Sequence, residues 1–277
     1  MAGMQPPSEH VLDLFAVPGD VEPLAGGQGG SVRAGDLVLS PGRDPLVQDA
    51  LAPELARLAV DLDTRAGRDR RDLRVAMPVP ARDGSWVVEG WSASRYEPGA
   101  VLLVDLEAVR AVGAVLHAEL EPRFPGWPLR HQPPRDRWSR AERIAFGEGE
   151  IPADLDDTPA GALARELAEQ RDETPLGPDQ LVHGDLAGNV LLDAEGSPVV
   201  IDVAPYWRPA LWAEATCVLD SVMWWGADPA AFEAWTDGAP RQAMIRSALF
   251  RLLSDQPPDV SAFVRALAPL GVRTAQT

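Results

Sequence analysis

A histidine, two acids and an amide gather within one stretch of this 277-residue sequence. The run His183-Gly184-Asp185-Leu186-Ala187-Gly188-Asn189 is followed by Asp202, at the end of the apolar segment Val200-Ile201-Asp202-Val203. If the chain between Asn189 and Asp202 folds back as a hairpin, a loop acid, an amide and a strand-end acid converge on one cleft. All the ligating atoms are oxygens, which suit a hard divalent cation such as Mg²⁺. One acid can then take a proton from a hydroxyl while Asn189 and Asp202 hold the cation against phosphate oxygens. That division of labour is phosphoryl-transfer chemistry, in which positioning and charge neutralisation do most of the catalytic work.

The surrounding elements follow from periodicity and turn residues. Gly26-Gly27-Gln28-Gly29-Gly30 precedes two β-like runs, Ser31 to Ala34 and Leu37 to Ser40, joined by the turn signal Gly35-Asp36. A helix is predicted over Pro45 to Leu62, then strands over Leu73 to Met77 and Ser85 to Trp91. Past Pro98-Gly99 the pattern becomes helical. Leu106, Val109, Val112, Leu116 and Leu120 repeat every three or four residues and make one buried stripe. A proline-rich connector from Pro122 to Pro134 is followed by helical patterns at Gly161 to Arg171, Leu211 to Trp225, Arg241 to Leu253 and Val260 to Ala268. Only the β-like runs Val190 to Leu192 and Val199 to Val203, with the turn Asp193-Ala194-Glu195-Gly196 between them, interrupt the helices. The reading is α+β, with a small strand-rich unit over residues 1–94 and a larger helical unit over 95–277 that contains the hairpin.

Composition excludes several partners. The chain holds 25 basic and 42 acidic residues, a formal net charge of −17, and every basic residue is an arginine. Such acidity argues against duplex nucleic acid or an anionic membrane, since both need a basic footprint. No apolar run approaches the roughly 20 residues that span a bilayer. Cys217 is alone, so no intrachain disulfide forms, and the first residues lack a basic start and apolar core. The expected compartment is the cytosol.

His-Gly-Asp-Leu-x-x-Asn followed by a hairpin ending in Ile-Asp resembles the aminoglycoside-phosphotransferase and choline-kinase branch of the protein-kinase-like fold. The runs Ile201 to Pro209 and Trp91 to Arg95 resemble an actinobacterial group within that branch. The resemblance implies a bilobal kinase-like architecture and a small-molecule phosphotransferase that uses ATP or GTP with Mg²⁺. It implies Asp185 as catalytic base, His183 as a structural residue of the catalytic loop, and Asn189 and Asp202 as metal ligands. Gly27, Gly29 and Gly30 would form the nucleotide loop, and the linker from Trp91 to Ser94, Ala93 included, would bind adenine through its backbone. Two positions depart from the family pattern. Asn189 stands four residues after Asp185 rather than five. Ser40 stands where a phosphate-gripping lysine is expected, leaving Arg33 or Arg43 to supply the charge and Glu54 as the acidic partner. These departures keep a second reading open, a catalytically silent relative that binds a ligand or a partner.

Other residues carry a bland and a sharp reading side by side. His117 on the apolar stripe is a core residue on the first, and the tryptophans at 207, 212, 224, 225 and 235 either fill the core or line an acceptor pocket. Arg208 faces phosphate, caps a helix or pairs with Glu214.

Overall fold

A computed structural model describes residues 6–24, 30–69 and 72–272. In chain order the elements begin with α1 (Glu9–Leu14), β1 (Glu22–Pro23), β2 (Val32–Ala34), β3 (Leu37–Ser40) and α2 (Pro45–Thr64). Next come β4 (Arg74–Val75), β5 (Pro78–Val79), β6 (Ser92–Arg95), β7 (Val101–Leu102), α3 (Leu106–Leu120), α4 (Arg137–Ala145) and α5 (Pro159–Glu169). The remainder are β8 (Asp179–His183), β9 (Val190–Leu192), β10 (Pro198–Val200), β11 (Pro205–Pro209), α6 (Ala210–Trp224), α7 (Gly238–Ser254) and α8 (Val260–Ala266). The architecture is α+β, as the sequence predicts. No helix among the described residues is long and apolar enough to cross a membrane.

Two compact units emerge, Met1–Leu103 with Gly188–Val203, and Val104–Ala187 with Ala204–Thr277. The boundary therefore falls after residue 103 rather than 94, and the β9–β10 hairpin goes with the first unit instead of the second. The reason is pairing. β10 lies parallel to β4 and antiparallel to β9, which in turn pairs with β7, giving a four-stranded sheet in the order β4-β10-β9-β7. Arg74 on β4 reinforces the arrangement, donating to Glu97 at 2.8 Å, to Asp193 in the hairpin turn at 3.0 Å and to Asp63 of α2 at 3.2 Å.

A five-stranded sheet, β1-β2-β3-β6-β5, also belongs to the first unit. Its inner face packs Leu39, Ala93 and Trp91 against Val11 and Phe15 of the N-terminal segment. α2 starts at the cap Asp44, whose side chain accepts from the Leu46 N–H, and runs through Pro53. Leu51, Leu55, Leu58 and Leu62 make its buried stripe. The strand predicted over Ser85 to Trp91 lies later, at Ser92–Arg95. Glu89 and Gly90 have φ of 49° and 80°, a left-handed pair that closes a tight turn bridging Val88 and Trp91, and the extended run starts only beyond it.

The second unit is helical around one core. α6 and α7 contribute Trp212, Val218, Leu219, Ile245, Leu249 and Phe250, all fully buried. β8 and β11 form a two-stranded antiparallel ladder that pairs His183 with Pro205 and Val182 with Tyr206.

Candidate active site

Three residues hold the loop after β8, each by a different device. His183 is fully buried. Its Nδ1 accepts the Asp185 N–H at 3.1 Å and, more loosely, the Ala204 N–H at 3.4 Å. Both partners are obligate donors, so Nδ1 is the bare nitrogen and the ring proton sits on Nε2. Gly184 donates its N–H to the Ala204 carbonyl at 3.0 Å, and a Cβ at this position would strike the Tyr206 ring. Leu186, on the far side of Asp185, is buried against Gly113 of α3, where a Cβ would come within 2.6 Å of Leu186 Cδ2. Between these anchors the Asp185 side chain remains 48% exposed. Gly184→Ala drives a methyl into Tyr206, which is itself wedged edge-on against Trp212 and Phe250 at 5.4 and 5.5 Å. A loss of about 1–3 kcal/mol in urea unfolding is expected from such overpacking.

His117 of α3 supports the same loop from behind, its Nε2 accepting the His183 N–H at 3.2 Å. Burial, with His183 beside it, lowers the His117 pKa to about 3. Protonation would remove the acceptor of a buried N–H, so the imidazole stays neutral in the folded state. The unfolded chain then binds more protons between pH 6.5 and 3, so this contribution to stability is full above pH 6.5 and declines as pH falls through that window. Relative to His117→Gln, whose amide oxygen preserves the acceptor, the wild type should lose about 2 kcal/mol more between pH 7 and pH 5, read from urea midpoints.

Asp185 has a partner that no sequence motif signals. Nη2 of Arg251 on α7 donates to Asp185 Oδ1 at 2.6 Å and to the Gly184 carbonyl at 3.2 Å. The same guanidinium grips Asp220 of α6 bidentately, with Nε 2.8 Å from Oδ1 and Nη2 against Oδ2. Arg251 is 7% exposed and Asp220 2%. Burial pushes Asp220 up to about 7 against the pull of Arg251. The two carboxylates outweigh the burial of Arg251 and hold it above the ordinary arginine range. One cation thus sits between two acids, one sealed in the helical core and one presented to solvent. Asp220 and Arg251 are charges inside apolar helical faces, the one sequence signal that could have drawn attention to them.

Within the first unit, Asn189 and Asp202 lie at one end of the β9–β10 hairpin, where the Ile201 N–H donates to the Asn189 carbonyl at 2.9 Å. Asp202 has a left-handed φ of 49°, a conformation that costs a non-glycine residue about 1–3 kcal/mol and is kept where a side chain must be aimed. Its Oδ1 lies 2.6 Å from Arg43 Nη2, and its side chain is 46% exposed. The donor set of Asn189 and Asp202 is oxygen only and fits Mg²⁺ in kind.

The nucleotide-binding expectations fare unevenly. Gly27 and Gly29 lie outside the described residues, while Gly30 leads into β2. Ser40 ends β3, and its hydroxyl meets that of Ser31 at 3.1 Å. Glu54 pairs with Arg57 one helical turn on, so it is engaged within α2. Trp91 and Ala93, expected to meet adenine through their backbone, are engaged within the first unit. Trp91 exchanges both backbone bonds with Val88, and Ala93 lies in β6 between Leu39 of β3 and Val79 of β5. Trp91 spends its backbone bonds on the turn with Val88, Ala93 lies within the sheet, and both side chains are buried.

Arg208 serves pairing, and two of the five tryptophans serve packing. Arg208 pairs with Glu142 and with Glu148 at 2.7 Å, stacking over Phe146, whereas Glu214 takes Arg110 at 2.6 Å. Trp212 and Trp235 fill the core, Trp207 is half-buried, and Trp224 and Trp225 are exposed at the end of α6.

No protein-family model matches the chain, and no curated protein matches it. Solved structures do. One is a choline/ethanolamine kinase family protein from Mesorhizobium loti, 19% identical over 93% of this chain and 92% of that one, with a TM-score of 0.48. Another is the choline kinase LicA from Streptococcus pneumoniae, 15% identical over 96% and 98%, TM-score 0.49. A thermostable mutant of aminoglycoside phosphotransferase APH(4)-Ia is 16% identical over 96% and 98%, TM-score 0.49. These structures to which the chain is similar are choline kinase-like and aminoglycoside phosphotransferase proteins.

Proposed function

We propose that the protein is a phosphotransferase that moves the terminal phosphoryl group of ATP or GTP to a hydroxyl of a small molecule in the cytosol, with Mg²⁺ as cofactor. The observation that carries the reading is Asp185, a half-exposed carboxylate on a loop whose neighbours His183, Gly184 and Leu186 are each locked by buried contacts. Asp185 accepts the hydroxyl proton as the bond to phosphorus forms, late enough in a loose transition state that a weak base suffices. His183 is a positioning residue that fixes the Asp185 backbone. Asp202 and Asn189 would hold the cation, which when bound neutralises phosphate charge. Among the described residues no three His, Cys, Asp or Glu side chains converge on a metal-sized site. The ion would therefore take its remaining ligands from phosphates and water, as Mg²⁺ does in such sites.

Thermal melting with ATP or GTP, with and without Mg²⁺, tests this. A nucleotide at 100 times its Kd should stabilise the fold by about 2.7 kcal/mol. ADP release on a panel of amino alcohols and sugars then finds the acceptor class. If neither nucleotide shifts the melt under any condition, the reading fails. The contacts of Ser40 with Ser31 and of Glu54 with Arg57 favour a second reading, nucleotide binding without turnover. A Mg²⁺-dependent melt shift with no ADP released by any acceptor would select it.

A further inference from the structure

The chain has no lysine, so any ammonium-like charge offered to a phosphate must come from one of its 25 arginines. In the first unit, Arg33 and Arg43 stand closest in sequence on either side of β3. Arg33 is committed elsewhere. Its Nε donates to the Gly35 carbonyl at 3.0 Å, its guanidinium stacks 4.4 Å over Tyr96, and Nη1 lies 3.6 Å from Glu22. Arg43 is placed differently. Its own N–H is tied to the Gly90 carbonyl at 2.9 Å, which pins the turn after β3 to the turn before β6. Its side chain reaches the strand-end acid, with Nη2 2.6 Å from Asp202 Oδ1, while its Nε is buried without a hydrogen-bond partner. Asp202 is the one acid that this guanidinium meets among the described residues.

We propose that Arg43 is the phosphate-binding cation of this protein, presented from a turn rather than from a strand and aimed by its ion pair with Asp202. A guanidinium carries five N–H donors in a planar fork that matches phosphate oxygens two at a time, and Asp202 uses only one edge of it. The backbone bond to Gly90 and the strained φ at Asp202 fix the two ends of the pair, so the fork is oriented before any ligand arrives. The Arg43 side chain is 23% exposed, so N–H groups of the fork that Asp202 leaves unused are open to phosphate oxygens. The inference rests on the nucleotide reading above and adds which side chain grips the phosphates.

Calorimetric titration of ADP and of adenosine separates a phosphate grip from a purely structural role. Both ligands are run against wild type, Arg43→Ala, Arg43→Gln and Arg33→Ala, each with Mg²⁺ and with EDTA. Arg43→Ala should weaken ADP by about tenfold or more while leaving adenosine within about twofold, because only the phosphate contact is lost. Arg33→Ala should match wild type for both ligands. Arg43→Gln keeps the side-chain stem and a polar end without the guanidinium, and should show the same selective loss if the alanine variant folds poorly. ADP affinity within twofold of wild type in both Arg43 variants overturns the proposal. So does an equal loss of ADP and adenosine, which would assign Arg43 a structural role alone. Wild-type protein that binds neither ligand sinks the nucleotide reading itself, a result distinct from either of these.

Discussion

Asp185→Asn should slow phosphoryl transfer by at least about a hundredfold while leaving the fold and nucleotide affinity intact. The amide is isosteric, and its oxygen still accepts from Arg251 Nη2, which lies 2.6 Å from Asp185 Oδ1. The N–H of residue 185 still donates to His183 Nδ1, so the loop keeps its path. What disappears is the proton acceptor. Removing a general base slows transfer by roughly 10²–10⁴-fold, equivalent to about 3–5 kcal/mol of barrier. The check is a coupled ADP-release assay beside a binding titration. Wild type and variant should bind ATP within about twofold of each other and differ by at least two orders of magnitude in kcat. Equal turnover would remove Asp185 from the mechanism, and equal silence would select the non-catalytic reading.

Arg251→Met should be the most destabilising of these substitutions. It leaves Asp220, 2% exposed, without its counter-ion, and an uncompensated buried carboxylate costs about 3–5 kcal/mol. The sign of its pH dependence follows from burial, which raises the folded-state Asp220 pKa far above its unfolded value. A raised acid gains stability as pH falls through that window, because the folded state can then neutralise the buried group. The deficit of Arg251→Met should therefore shrink on going from pH 8 to pH 5. The pair Asp220→Leu with Arg251→Met should recover most of the loss, since apolar side chains replace a buried ion pair nearly neutrally. Urea midpoints for the two single variants and the double variant at both pH values decide the matter. A double variant as unstable as Arg251→Met would show that the cost lies in packing around Arg251 rather than in the stranded charge.

The parts of the fold that are legible in the sequence are those written in local pattern. The β2–β3 pair follows from Gly35-Asp36 between two short apolar runs, α2 and α3 from their three-and-four spacing, and the β9–β10 hairpin from the turn at Asp193 to Gly196. Local pattern puts the strand at Ser92–Arg95 too early because Ser-Ala-Ser-Arg has little β-character of its own. It becomes a strand through its neighbours β3 and β5. α4 escapes a reading by periodicity because its start depends on a capping box between Asp136 and Ser139 just after a proline-rich run. Among the candidate residues, His183, Asp185, Asn189 and Asp202 announce themselves by spacing. Arg251 and Asp220 do not, since their partnership joins two helices across 31 residues of chain, and no local pattern states which helical faces will meet.

The four-stranded sheet of the first unit also sets an order of events during synthesis. Its outer strands β4 and β7 are made early, yet neither pairs with the other. Each waits for a strand of the β9–β10 hairpin, and Arg74 waits for Asp193, 119 residues further along. The whole of α3, α4 and α5 must leave the ribosome before this sheet can close, so a chain that has emerged only as far as residue 103 holds β4 and β7 without their partner strands. The segment that brings Asn189 and Asp202 into position is therefore also the piece that completes the first unit, and the candidate metal ligands take their places in the same step that finishes the sheet.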